Sequence, residues 1–133
     1  MELKYLILML IAMLFMHVWD DFGRQGIMVQ MKQKTWWKEN APAYLYRHDY
    51  IAALFAHAFS WSVFVMIPVA IPAFILDNIY LLYSLIPLLI FNTAFHAWID
   101  NMKCNEFKIK LWEDQLLHVA QILITWSVAI AFL

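Results

Sequence analysis

The sequence predicts an all-α polytopic membrane protein: four transmembrane helices in a bundle, with the N- and C-termini on the non-cytoplasmic side. Three observations carry that expectation. Hydrophobic residues make up 65% of the 133 residues and charged residues 14%, against about 45–50% and about 25% in soluble domains. A chain of this length has too little interior to hide such an excess from water. Four stretches free of Asp, Glu, Lys and Arg run for 15, 26, 22 and 19 residues. Eight of the nine basic residues lie in the two connections that end up on one side of a four-span chain.

The first stretch, 5–19, is short for a bilayer core, which takes about 20 apolar residues. It spans if the helix runs over about 3–22 and carries Asp20 and Asp21 at its end. A signal peptide is disfavoured, because Glu2 spoils a basic leader and no small-residue cleavage site follows. The second, third and fourth spans are expected over about 51–76, 79–100 and 114–133. These runs are continuous and too long for barrel strands of about 9–11 alternating residues. Pro68, Pro72 and Pro87 fall inside spans and are expected to kink them.

Between the first two spans, the connection at 23–50 carries Arg24, Lys32, Lys34, Lys38 and Arg47. That at 101–113 carries Lys103, Lys108 and Lys110. The positive-inside rule makes their side cytoplasmic. Trp36 and Trp37 among the lysines are the composition of an interfacial helix at the headgroups. The expected location is a bacterial inner membrane.

Composition excludes a cytosolic enzyme, a disordered regulator and a nucleic-acid-binding arm. A net charge of −1 points to no polyanionic partner, and the single cysteine, Cys104, permits neither a disulfide nor a cysteine zinc cluster. The expected partners are the lipid bilayer and a lipid or lipid-linked substrate, with a homo-oligomer left open.

The remaining polar groups are concentrated. His17 with Asp21, His96 with Asp100, and Asp114 with His118 are each four residues apart, so each pair shares a helix face. All three lie at the cytoplasmic ends of their spans. Asp49, Ala53 and His57 mark a stripe on the second span at the same end. Ionisable groups facing lipid are costly, so these should point inward and bind something. Imidazole and carboxylate are the usual ligands of zinc, manganese and iron. The candidate ligands are His17, Asp21, His57, His96, Asp100, Asp114 and His118, for one or two divalent ions, with zinc favoured. Seven candidates exceed one tetrahedral ion, so some would instead orient the imidazoles. Gln25, Lys103 and Gln115 are the expected orienting groups, with Lys103 placed to pair with Asp100 or to anchor the helix end. Taken singly, each Asp–His pair reads as a helix-end ion pair; together, at one depth, they read as one site.

The motifs also resemble a family. His17 to Gln25 reads as H-x3-D-F-x2-Q, His96 to Lys103 as H-x3-D-x2-K, and Asp114 to His118 as D-Q-x2-H. This order, with His57 between, resembles an uncharacterised family of small bacterial and phage integral membrane proteins, a domain of unknown function. The resemblance covers nearly the whole chain and implies a multi-span inner-membrane protein, without an activity.

Three functions compete. A membrane-embedded metal-dependent hydrolase would act on a lipid or lipid-linked substrate near the cytoplasmic leaflet. A metal lowers the pKa of bound water toward about 7, and Asp21, Asp100 or Asp114 would serve as catalytic base. A non-hydrolytic metal carrier or sensor is the second reading, weakened by the apolar outer halves of the spans. A non-catalytic membrane interaction protein, phage-encoded and with the His/Asp cluster as structural glue, is the third.

Overall fold

In lipid, a continuous apolar run satisfies its own backbone N–H and C=O groups only as a helix. The structure, a computed structural model, describes residues 2–133. It contains six α-helices and no strand among the described residues. They are α1 (Leu3–Val18), α2 (Met28–Met31), α3 (Lys34–Asn40), α4 (Asp49–Ile75), α5 (Ile79–Cys104) and α6 (Leu111–Ala131). A π-helical turn, Trp19–Arg24, extends α1. With that extension, α1, α4, α5 and α6 are each long and apolar enough to cross a membrane. Their outward faces carry exposed Leu8, Ile11, Phe15, Ile86, Ile90 and Leu123, the surface a lipid solvent requires.

Going round the bundle, the helix order is α1, α4, α5, α6, with α6 closing against α1. The apolar core holds Met9 and Met13 from α1, Trp61, Val65, Val69 and Ala73 from α4, Leu81 from α5, and Ile122 and Ala129 from α6. Between lipid-immersed helices close packing rather than hydrophobic transfer supplies the attraction, and small residues such as Ala73 and Ala129 permit close approach. Neither α4 nor α5 is interrupted at Pro68, Pro72 or Pro87; each continues through as one helix.

The two ends of the bundle differ. At one, a tight turn joins α4 to α5, with Asp77 in the left-handed region at φ 48°. Asn78 closes this end: its Oδ1 accepts the Leu81 N–H (3.1 Å) and its Nδ2 donates to the Phe132 carbonyl (2.6 Å). The opposite end carries α2, α3 and the loop between α5 and α6. Gly26 turns the chain back from the π-helical turn with φ 49°, a conformation that suits glycine. Asn105 then fastens the α2–α3 segment to the end of α5. Its Oδ1 accepts the Lys34 N–H (2.8 Å), and its Nδ2 donates to the Lys32 carbonyl (3.0 Å) and to Asn101 Oδ1 (3.1 Å). The Trp37 indole N–H donates to the Met31 carbonyl (2.6 Å), which locks α3 against α2.

Candidate metal centre

At the loop-bearing end the bundle interior becomes polar, in layers fixed by helical spacing. Outermost are Asp20 and Asp21 from the π-helical turn, Asp100 from α5 and Asp114 from α6, all buried. One turn deeper lie His17, His57, His96 and His118, one from each long helix and each at most 3% exposed. Fully buried Trp61 forms the floor: its ring stacks on His96 (4.3 Å between centroids), which stacks in turn on His118 (4.1 Å).

Three donor atoms gather round His57 Nε2. His57 Nε2 lies 3.1 Å from His96 Nε2, 3.4 Å from Asp21 Oδ1 and 3.5 Å from Asp100 Oδ2. His96 Nε2 is 3.8 Å from that same Asp100 oxygen. An ion bound tetrahedrally at about 2.0–2.1 Å separates its ligand atoms by about 3.3 Å. The second half of the cluster surrounds His118, whose Nε2 lies 3.7 Å from Asp100 Oδ1 and 3.5 Å from Asp114 Oδ1. Asp100 therefore presents one oxygen to each half. Three sets of buried side chains bring donor atoms together closely enough to hold a metal: Asp21, His57 and His96; His96, Asp100 and His118; Asp21, Asp114 and His118. Asp100 Oδ1, Asp114 Oδ1 and His118 Nε2 have no hydrogen-bond partner. Unpartnered buried lone pairs are costly, and a cation between them would relieve that cost.

Other side chains hold the carboxylates in place. Gln115 is the hub: its Nε2 donates to Asp21 Oδ2 and Asp114 Oδ2, each at 2.9 Å. Gln25 donates to Asp21 Oδ1 (2.5 Å) and also to the Asp21 carbonyl. Lys103 Nζ donates to Asp114 Oδ2 at 2.7 Å, so its partner is Asp114 rather than Asp100. Asp100 is claimed instead by Lys32, whose Nζ lies 2.6 Å from Oδ2.

His17 departs from the expected ligand role. Its Nδ1 accepts the Trp61 indole N–H (2.9 Å) and its Nε2 faces Gln115 Oε1 (3.1 Å). Both ring nitrogens are thus engaged, Nε2 as the proton carrier, and Gln115 stands between His17 and Asp21. The spacing of four correctly places His17 and Asp21 on the inner face, but not in contact with each other. Asp49 is outside the cluster, and His48 is exposed on the loop side.

Three buried participants escaped the sequence reading. Asp20 is only 2% exposed. It accepts from Ser60 (3.1 Å), pairs with Arg24 (3.6 Å) and faces His57 Nδ1 at 4.0 Å. In an α-helix, adjacent aspartates point about 100° apart, and the spacing of four from His17 singles out Asp21 alone. The π-helical turn lets both in, and such turns recur at functional sites. Lys32 stands in the sequence as one of the basic residues of the 23–50 connection, since a contact across 68 residues leaves no local signal. Trp61 sits in a charge-free stretch with no polar neighbour four residues away other than His57, so its bond to His17 has no local signal either.

Deeper still, Asn92 Oδ1 accepts from Gln121 (2.8 Å) and Thr125 (3.0 Å), a polar link between α5 and α6. No protein-family model matches the chain, and it has no match among the curated proteins or the solved structures compared with it.

Proposed function

We propose that the buried cluster is a divalent-metal centre and that the protein is a metal-dependent hydrolase of a lipid or lipid-linked substrate. The observation that carries the metal reading is the set of buried triads, Asp21 with His57 and His96 foremost, whose donor atoms lie within 4.8 Å of one another. When bound, the ion supplies Lewis acidity and makes water acidic near neutral pH. Zinc suits two imidazoles and two carboxylates in a tetrahedron; manganese and iron take the same donor types. Asp114 Oδ1, buried and unpartnered, is the carboxylate oxygen left to accept a proton. Asp21 and Asp100 act as ligands; Gln115 and Gln25 orient Asp21, Lys32 holds Asp100, and Lys103 holds Asp114.

Depth favours a lipid substrate. The cluster lies within about two helical turns of the bundle end, a depth that, with the long helices set across a bilayer, would meet the junction of headgroups and acyl chains. The basic connections at that end favour the cytoplasmic leaflet of a bacterial inner membrane and termini on the opposite side. Membership of the small bacterial and phage membrane-protein family belongs to the same reading.

A second reading has its own observation. Asp21, Asp100 and Asp114 supply three negative charges, and Lys32 and Lys103 supply two positive ones. One negative charge is left over. A divalent ion would more than balance it; a single proton on His118, set between Asp100 and Asp114, would balance it without metal. The cluster would then be structural glue in a non-catalytic interaction protein. A carrier is the weakest alternative, because fully buried Val65, Val69 and Leu81 follow beyond the polar layers.

Elemental analysis of protein purified in detergent, beside a His96→Ala/Asp100→Ala variant, separates these readings. One or two equivalents of metal in the wild type, lost in a folded variant, is the expected result. A folded wild type that stays metal-free after reconstitution with zinc, manganese and iron would overturn the metal centre. A metal-loaded protein with no activity on phospholipid or lipid-linked esters, amides or phosphoesters would remove the hydrolase alone.

A further inference from the structure

The chain has nine lysines and arginines. Five of them pair with carboxylates: Lys4, Arg24, Lys32, Lys103 and Lys108. Of the four that make no ion pair among the described residues, three line one cavity. Lys34, Lys38 and Arg47 surround a space of about 430 Å³ between α3 and the start of α4. Trp37, His48 and Tyr50 complete the polar and aromatic wall, and no acidic residue contributes to it. The Lys34 ammonium rests over the Tyr50 ring at 4.9 Å, and the Arg47 guanidinium over Tyr44 at 4.9 Å. Aromatic faces, rather than carboxylates, hold these cations in place.

Three like charges gathered in one concavity repel one another, and the arrangement is relieved by an anion. Arginine and lysine together suit phosphate: the guanidinium offers a planar fork and the ammonium a point charge. Trp37 and Tyr50 are the amphipathic side chains that settle at headgroup depth. The backbone is also fixed there, because the Lys34 N–H is tied to Asn105 and the Lys32 side chain to Asp100.

We propose that this cavity binds the phosphate of an anionic phosphomonoester, with Lys34, Lys38 and Arg47 as its cationic ligands. The site lies apart from the buried carboxylates and takes its ligand whether or not they hold metal. Two sources share this chemistry, a lipid headgroup and free phosphate. Lys32 belongs to the buried cluster and Lys34 to the cavity, so the α2–α3 segment joins the two.

The test uses the full chain in phosphatidylcholine nanodiscs containing equal mole fractions of phosphatidic acid or phosphatidylglycerol, followed by native mass spectrometry of the retained lipid. Phosphatidic acid should be retained in preference to phosphatidylglycerol. Lys38→Ala and Arg47→Ala should each weaken retention by about fivefold, as expected for one interfacial cation. Lys108→Ala, which removes a cation outside the cavity, should leave it unchanged. Lys38→Arg should restore it, and circular dichroism checks the fold of each variant. If an alanine variant fails to fold, Lys38→Gln and Arg47→Gln carry the same comparison. Inorganic phosphate that displaces phosphatidic acid at comparable concentration would identify the free anion as the source. Equal retention of both lipids, or equal loss with Lys108→Ala, would overturn the proposal in favour of diffuse attraction to a charged surface.

Discussion

The Lys32 ammonium reaches from the α2–α3 segment into the mouth of the bundle and donates to Asp100 Oδ2 at 2.6 Å, with both side chains almost wholly buried. That oxygen also lies 3.5 Å from His57 Nε2 and 3.8 Å from His96 Nε2, and Asp100 belongs to one of the candidate metal triads. A fixed cation and a bound ion therefore compete for the same carboxylate. Lys32→Met should destabilise metal-free protein by about 3 kcal/mol, since one partner of a buried pair is left alone. Added zinc should recover most of that loss and bind more tightly than in the wild type. Thermal unfolding in detergent, with and without zinc, checks both. A loss unaffected by metal would favour the metal-free network.

Loss of His17 should differ in kind from loss of His57 or His96. His17 spends both ring nitrogens on Trp61 and Gln115. His17→Phe should keep the metal stoichiometry and weaken affinity by about 10–100-fold, as expected for a residue that orients ligands. His57→Ala should lower the stoichiometry itself. Metal titration of the folded variants distinguishes them, and loss of stoichiometry in His17→Phe would restore that imidazole to the ligand set.

Asn105 governs the segment that covers the site. Its amide makes three bonds between α5 and the Lys32–Lys34 backbone or its own helix. Asn105→Ala should raise amide exchange and protease sensitivity across residues 25–48 while the four long helices keep their protection, a local opening rather than global unfolding. Hydrogen exchange read by mass spectrometry measures this directly. Uniform loss of protection would show that the segment is not a separate unit.

The polar link below the histidines should contribute modestly. Asn92→Leu removes the side-chain acceptor shared by Gln121 and Thr125, leaving Gln121 its bond to the Asn92 carbonyl and Thr125 its bond to the Gln121 carbonyl. Interhelical hydrogen bonds of this kind are worth about 0.6–1.7 kcal/mol in membranes, and the detergent unfolding midpoint should fall accordingly. No change would mean that Gln121 and Thr125 find other partners.

Much of the architecture was legible because hydropathy and spacing are local signals. Four charge-free stretches marked the long helices. The four-residue spacing placed His96 with Asp100 and Asp114 with His118, and both contacts occur. What stayed hidden depends on departures from regular geometry or on distant partners. A straight α-helix gives Asp20 no route inward, and only the π-helical turn provides one. Nothing near Lys32 in the chain marks it as different from Lys34 or Lys38, because its partner lies beyond two intervening helices, α3 and α4. Gln115 was expected to orient ligands, but its hold on both Asp21 and Asp114 depends on the α1–α6 contact.

The Trp61 floor has a consequence for exchange. Below it the bundle is filled by Met13, Val65, Val69, Leu81 and Ile122, each without exposed surface. On that side the histidine layer is closed by packed side chains, while its carboxylates face the end that carries α2 and the Lys32 ammonium. An ion held there would meet the packed layer on one side and the carboxylates on the other, so its exchange rate should follow the breaking of the Lys32–Asp100 pair.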